Sequence, residues 1–139
     1  MRFLIDTHCW LWSFLSPERL NDAAAELMQS DESGIVFSAV SAAEIAIKVG
    51  IGKLQLPEAA KEYVAAGIED FEMKALPLYL HHALRVAELP LHHRDPFDRM
   101  LVAQAQMEGL PLMTADPKLA AYDVEIIWAG REATPEQVQ

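Results

Sequence analysis

Short apolar runs alternate with helix-spaced segments along nearly the whole chain, and this alternation constrains the fold more than any other feature. Phe3-Leu4-Ile5, Ile35-Val36-Phe37 and Leu112-Met113 are apolar at every position. A strand with no polar alternation is covered on both faces, and such strands belong to parallel sheets enclosed by helices. Residues 71–76 and 124–128 read as two further strands. Residues 9–15 read as a helical turn or two against the core. Pro17 sits where a second helix starts, with Leu20, Ala23, Ala24, Leu27 and Met28 at helical spacing. Ser38 or Ser41 caps a helix running to about Lys48, and Pro57 and Pro77 each open another. A long helix runs from Asp98 to about Glu108, closed by Gly109, and Pro117 starts a short one. The expectation is an α/β fold with about five parallel strands and helices on both faces.

The 139 residues suit one domain, and a 52% hydrophobic content fills its core without disulfides or structural metal. Cys9 is the one cysteine, which fits a reducing compartment. The chain opens directly into a strand-like run without signal-peptide features, and no apolar run approaches the ~18 residues of a membrane span. A cytoplasmic, membrane-free protein is expected, with residues 1–130 as the domain and 131–139 as a polar tail. The balance of 11 Lys+Arg against 21 Asp+Glu gives a net charge of −10. That argues against a simple electrostatic nucleic-acid binder. It leaves room for an enzyme in which a divalent ion and a few local cations offset substrate charge, and it suits a basic partner.

Four acids, Asp6, Glu44, Asp98 and Asp116, sit at the edges of apolar segments or just inside them. In an open parallel sheet the binding crevice lies beyond the carboxyl ends of the strands. Asp6 and Asp116 each follow a strand there, and Glu44 and Asp98 lie in helices whose starts face the same edge. Like charges ~4 Å apart repel by roughly 4 kcal/mol at an effective dielectric near 20. A cluster of such acids calls for a hard cation such as Mg²⁺ or Mn²⁺, and with it for phosphodiester chemistry.

Each acid also has an ordinary structural role open to it. Asp6 and Asp116 can cap the helices that follow them, and Thr7 is a further cap candidate. Glu44 can be the far half of a capping box begun by Ser41. Asp98 can stabilise a helix dipole. Asp95 can cap a helix through Pro96 or act as an outer ligand. The pairs His81-His82 and His92-His93 diverge too far on a helix to chelate, and read as exposed or core residues. His93 and Arg94 can still reach phosphate from their loop. Cys9 reads as packing, and Trp10 and Trp12 as core or dimer-surface aromatics rather than base-stacking platforms.

With these acids in place, the sequence resembles the PIN-domain ribonucleases, and among them the VapC-like toxins of toxin–antitoxin pairs. The resemblance rests on Leu4-Ile5-Asp6-Thr7-His8, on Ser41-Ala42-Ala43-Glu44-Ile45, on the block from His93 through Asp95-Pro96-Phe97-Asp98-Arg99 to Ala105, and on Leu112-Met113-Thr114-Ala115-Asp116. It implies a three-layer α/β/α sandwich and Mg²⁺- or Mn²⁺-dependent RNA cleavage. By this likeness Asp6 and Asp98 are direct metal ligands. Glu44 and Asp116 hold metal-bound water or a second, weaker ion, and Thr7 and Thr114 orient water. It also implies a homodimer silenced by a cognate antitoxin. Two rivals remain: a catalytically silent binding scaffold, and a phospho-acceptor receiver domain. The receiver would need paired acids after the first strand and a lysine after the last, and this sequence has neither.

Overall fold

The computed structural model describes residues 1–132 of the chain, and residues 133–139 of the expected polar tail lie outside the described residues. Five strands, β1 (Arg2–Ile5), β2 (Gly34–Ser38), β3 (Lys74–Leu76), β4 (Leu112–Thr114) and β5 (Ile126–Trp128), form one sheet in the order β3-β2-β1-β4-β5. Every pairing is parallel. Among the described residues seven α-helices flank it: α1 (Thr7–Leu15), α2 (Asp22–Gln29), α3 (Ala39–Gly50), α4 (Ala60–Asp70), α5 (Leu80–Arg85), α6 (Pro96–Glu108) and α7 (Pro117–Ala120). The result is the expected three-layer α/β/α sandwich. None of the helices among the described residues is long and apolar enough to cross a membrane.

Strand alternation divides the core in two. Phe3, Ile5, Ile35, Phe37 and Met113 point to one face, where they meet Trp10 of α1, Ala24 and Met28 of α2 and Ile45 of α3. Leu4, Val36 and Leu112 point to the other, against Leu101, Val102 and Ala105 of α6 and Leu119 of α7. Successive side chains on a strand face opposite ways, so apolar runs are what a sheet between two helical layers requires.

The chain moves outward from β1 through β2 to β3, then returns across the sheet to place β4 on the other side of β1. That reversal lies at the carboxyl ends of β1 and β4, where an open sheet leaves a crevice. Leu4 and Ile5 pair with Leu112 and Met113, and the Asp6 N–H donates to the Met113 carbonyl at 3.0 Å. Register thereby sets Asp6 beside Thr114.

Several boundaries differ from expectation. Pro17 starts only a 3₁₀ turn (Pro17–Arg19); α2 begins later, where Asn21 Oδ1 accepts the Ala24 N–H at 2.8 Å. The helices expected from Pro57 and Pro77 begin at Ala60 and Leu80. β3 is shorter than residues 71–76 because Phe71 ends α4 and Glu72 adopts a positive φ of 50°. β5 likewise spans only Ile126–Trp128, and α6 starts two residues before Asp98.

The α1–α4 contact is close because α4 offers a glycine to an aromatic cluster. Trp10 packs on Phe14, Phe37 and Tyr63 with ring centroids 4.8, 5.0 and 6.1 Å away. A Cβ at Gly67 would fall 2.6 Å from Trp10 Cζ2 and 3.0 Å from Phe14 Cζ. Alanine would gain up to about 1 kcal/mol in helix propensity, but overpacking costs roughly 1–3 kcal/mol. Gly67→Ala should therefore lower stability in urea unfolding, and a Gly67→Ala protein more stable than wild type would refute this packing account.

Candidate metal centre

Asp6 immediately follows β1 and caps α1, its Oδ1 accepting the Cys9 N–H at 2.7 Å. Its Oδ2 accepts the Thr114 hydroxyl, and Thr114 Oγ1 accepts the Asp116 N–H at 3.1 Å. Thr114 thus orients one acid and anchors the backbone of another. Asp116 caps α7 through Oδ1, which accepts the Lys118 N–H at 2.9 Å. The capping roles open to Asp6 and Asp116 are real, but each occupies only one oxygen. Thr7 is not the α1 cap, because Asp6 fills that place; the Thr7 hydroxyl instead donates to Ser41 Oγ at 2.9 Å, linking α1 to α3.

Asp98 sits in the first turn of α6, where Asp95 is the cap: its Oδ1 accepts from Phe97 N at 2.8 Å and Asp98 N at 3.2 Å. Pro96 is well tolerated at this first helical position because no N–H is needed there. Glu44 is not half of a capping box. Ser38 caps α3, its Oγ accepting the Val40 N–H at 2.9 Å, so Glu44 falls in the second turn. There it is fully buried, with Oε2 accepting from Lys48 Nζ at 2.7 Å.

The acids are close enough to act on one another's charge. The Asp98 carboxyl is pushed up to about 8, first by burial and then by the negative charges of Asp95, Asp6, Glu44 and Asp116. Burial also raises Asp6, against the lowering effect of its bonds from Thr114 and Cys9. The Cys9 thiol is raised by burial and by Asp6, which keeps it an inert packing group.

Among the described residues, three buried side-chain polar atoms have no hydrogen-bond partner: Trp10 Nε1, Glu44 Oε1 and Asp98 Oδ1. Two are carboxylate oxygens of this cluster. A buried carboxyl oxygen without a partner is costly, whether the group is charged or neutral. An all-oxygen set with unsatisfied lone pairs is what Mg²⁺ or Mn²⁺ accepts, so these residues fit a hard divalent ion. A cavity of about 220 Å³ opens beside Asp6 and Asp116, with His8, Trp12 and Ala115 completing its lining. Trp12, expected in the core or at a dimer surface, borders this cavity, whereas Trp10 is wholly in the core.

His93 is the residue that sequence reasoning undervalued. It is neither a loose surface histidine nor a core one. Its Nε2 lies 3.1 Å from Asp98 Oδ2 and 2.9 Å from Asp116 Oδ2. The available signal was its position in the turn leading to Asp95 and Asp98. A second grouping, His81, His82 and Glu108, is structural in origin. His82 Nδ1 accepts the Tyr79 N–H at 3.1 Å, so its proton is on Nε2, which donates to Glu108 at 2.9 Å and ties α5 to α6.

A family model described as PIN domain matches residues 3–125. No curated protein sequence matches the chain. Among solved structures, the chain is similar to VapBC2 from Rickettsia felis bound to a DNA fragment from its promoter, with a TM-score of 0.66 at 14% identity over 93% of this chain and 99% of that one. It is similar to FitAB bound to an IR36 DNA fragment, with a TM-score of 0.62 at 17% identity, covering 91% and 94%. FitAcB from Neisseria gonorrhoeae gives 0.59 at 19% identity, covering 91% and 96%. At these identities the likeness is one of fold.

The raised Asp98 carboxyl has a defined effect on stability. Its folded value of about 8 lies above the unfolded value near 3.8, so the folded state holds a proton that the unfolded state has lost. Metal-free stability therefore falls as pH rises between those values, by at most about 1.4 kcal/mol per pH unit for this group. In urea unfolding with EDTA, Asp98→Asn should show a shallower fall over this window and greater stability than wild type at pH 8. Identical pH slopes would contradict the convergence of charge on Asp98.

Proposed function

The chain belongs to the PIN-domain family, and from that premise we propose that it is a Mg²⁺- or Mn²⁺-dependent endoribonuclease acting as the toxin of a toxin–antitoxin pair. PIN domains are in general nucleases. The observation that carries the reading is the pair of buried, unpartnered carboxylate oxygens, Glu44 Oε1 and Asp98 Oδ1, on a group of acids in which the charges of Asp6, Glu44 and Asp116 all bear on Asp98.

Asp6 and Asp98 are the direct ligands in this reading, and Glu44 and Asp116 hold metal-bound water or a second ion. When bound, the cation acidifies water as the nucleophile and offsets charge building on the phosphate. The protein's own part is to hold the acids in place. Thr114 fixes Asp6, the Asp95 cap fixes the first turn of α6, and Lys48 balances one oxygen of buried Glu44. Arg94, exposed two residues after His92 and next to His93, offers a charge to the RNA backbone.

The antitoxin partner is proposed on the solved neighbours, which are toxin–antitoxin assemblies bearing DNA. The net charge of −10 favours a basic segment in that partner. A homodimer is supported by Leu80 and Leu84, one helical turn apart on α5 and 76% and 65% exposed. A cytoplasmic location and a single domain over residues 1–130 complete the reading.

Purified protein should cleave RNA with Mg²⁺ or Mn²⁺ and stop in excess EDTA. Asp6→Asn should reduce cleavage by more than the roughly 10–100-fold typical of losing a group that only supports a ligand, because it removes a group that holds the metal directly. Cleavage that persists in EDTA, or an Asp6→Asn protein as active as wild type, would overturn the proposal. Leu80→Glu with Leu84→Glu should shift the protein to a smaller species in analytical ultracentrifugation; an unchanged sedimentation coefficient would remove the dimer surface from the account.

A further inference from the structure

His93 is held through both its backbone and its ring. Its N–H donates to the Tyr122 hydroxyl at 3.0 Å, and its carbonyl accepts from Arg99 Nη1 at 3.3 Å. Arg99 also donates to the carbonyls of Val86 and Pro90, each at 3.0 Å, so one guanidinium from α6 carries the loop in which His93 lies. The ring is fixed separately: Nδ1 accepts the Asp95 N–H at 3.1 Å. An imidazole nitrogen that accepts a backbone N–H holds a lone pair, which leaves the proton of the neutral ring on the other nitrogen.

That proton-bearing Nε2 is the atom facing Asp98 Oδ2 at 3.1 Å and Asp116 Oδ2 at 2.9 Å. His93, Asp98 and Asp116 thus have the closeness of a ligand triad. The tautomer argues for a different assignment, because a nitrogen that carries a proton has no lone pair to give to a metal. Ligation through Nε2 would require Nδ1–H, and that hydrogen would meet the Asp95 N–H head-on.

Resting on the metal-nuclease reading above, we propose that His93 is a positioning residue of the centre and not a ligand: its Nε2–H fixes the facing oxygens of Asp98 and Asp116 and leaves their remaining lone pairs to the ion. The two acids come from different parts of the fold, α6 and the β4–α7 connection, and repel each other. A donor between them holds that gap at one width. Keeping imidazole nitrogen off the metal also keeps the ligand set all-oxygen, which suits hard ions. Donors to ligating groups typically influence metal affinity by about 10–100-fold.

The test is Mn²⁺ binding by calorimetry on the full chain, with electron paramagnetic resonance of the bound ion. His93→Phe should weaken Mn²⁺ 10–100-fold, and His93→Gln, whose amide N–H reaches a similar point, should restore most of it. Bound Mn²⁺ in wild type should show no directly coordinated nitrogen. Mn²⁺ binding to His93→Phe that is as tight as wild type or tighter, or a direct nitrogen coupling in wild type, overturns the proposal while leaving the nuclease reading intact. Failure of wild type to bind Mn²⁺ overturns both. Should His93→Phe not fold, the wild-type resonance and the His93→Gln affinity decide the matter.

Discussion

Four carboxylates cannot crowd one another at the edge of a core without something positive among them, and most of the local structure around this crevice can be understood as holding them there. Each is placed by a separate device. Asp6 is set by the β1–β4 register and the α1 cap, Asp116 by the α7 cap, Asp98 by a helix that Asp95 starts, and Glu44 by the second turn of α3. The positive groups present are few. Lys48 serves one oxygen of Glu44, and the His93 N–H serves one oxygen each of Asp98 and Asp116. What remains is a deficit, visible as two orphaned oxygens and a carboxyl pushed up to about 8. The folding cost of that deficit has a natural purpose if the pocket awaits a divalent ion.

Capping and ligation are therefore not rival explanations here. A carboxylate has two oxygens and several lone pairs. Asp6 and Asp116 each give one oxygen to a helix end, which orients the other toward the crevice. The helix N-terminus supplies both the anchor and a partial positive charge beneath the acid. The same economy appears in Thr114, which donates to Asp6 and accepts from the backbone of Asp116.

Much of this was legible in the chain. Apolar triplets such as Phe3-Leu4-Ile5 have one stable home in a sheet covered on both sides, so the parallel architecture followed from pattern. The acids were legible because they stand at strand ends or in helices near one edge. The element limits were less so. Proline marks where a helix can begin, yet at Pro17, Pro57 and Pro77 local caps and packing decide where it does begin. The Ser41–Glu44 spacing matched a capping box, but Ser38, three residues earlier, captures the helix end. The reading of His93 as able to reach phosphate missed its place among the acids for a physical reason: that place depends on a loop held by Arg99 and Tyr122, contacts made across the fold that no local pattern encodes.

The central claim is that Asp6 and Asp98 face the same divalent cation. Crystals grown with Mn²⁺ and measured at its absorption edge test this most directly. An anomalous peak is expected within bonding distance of carboxylate oxygens from both Asp6 and Asp98, with Glu44 and Asp116 close enough to hold its waters. A well-occupied peak elsewhere, with Asp6 and Asp98 contacting no ion at saturating Mn²⁺, would contradict it.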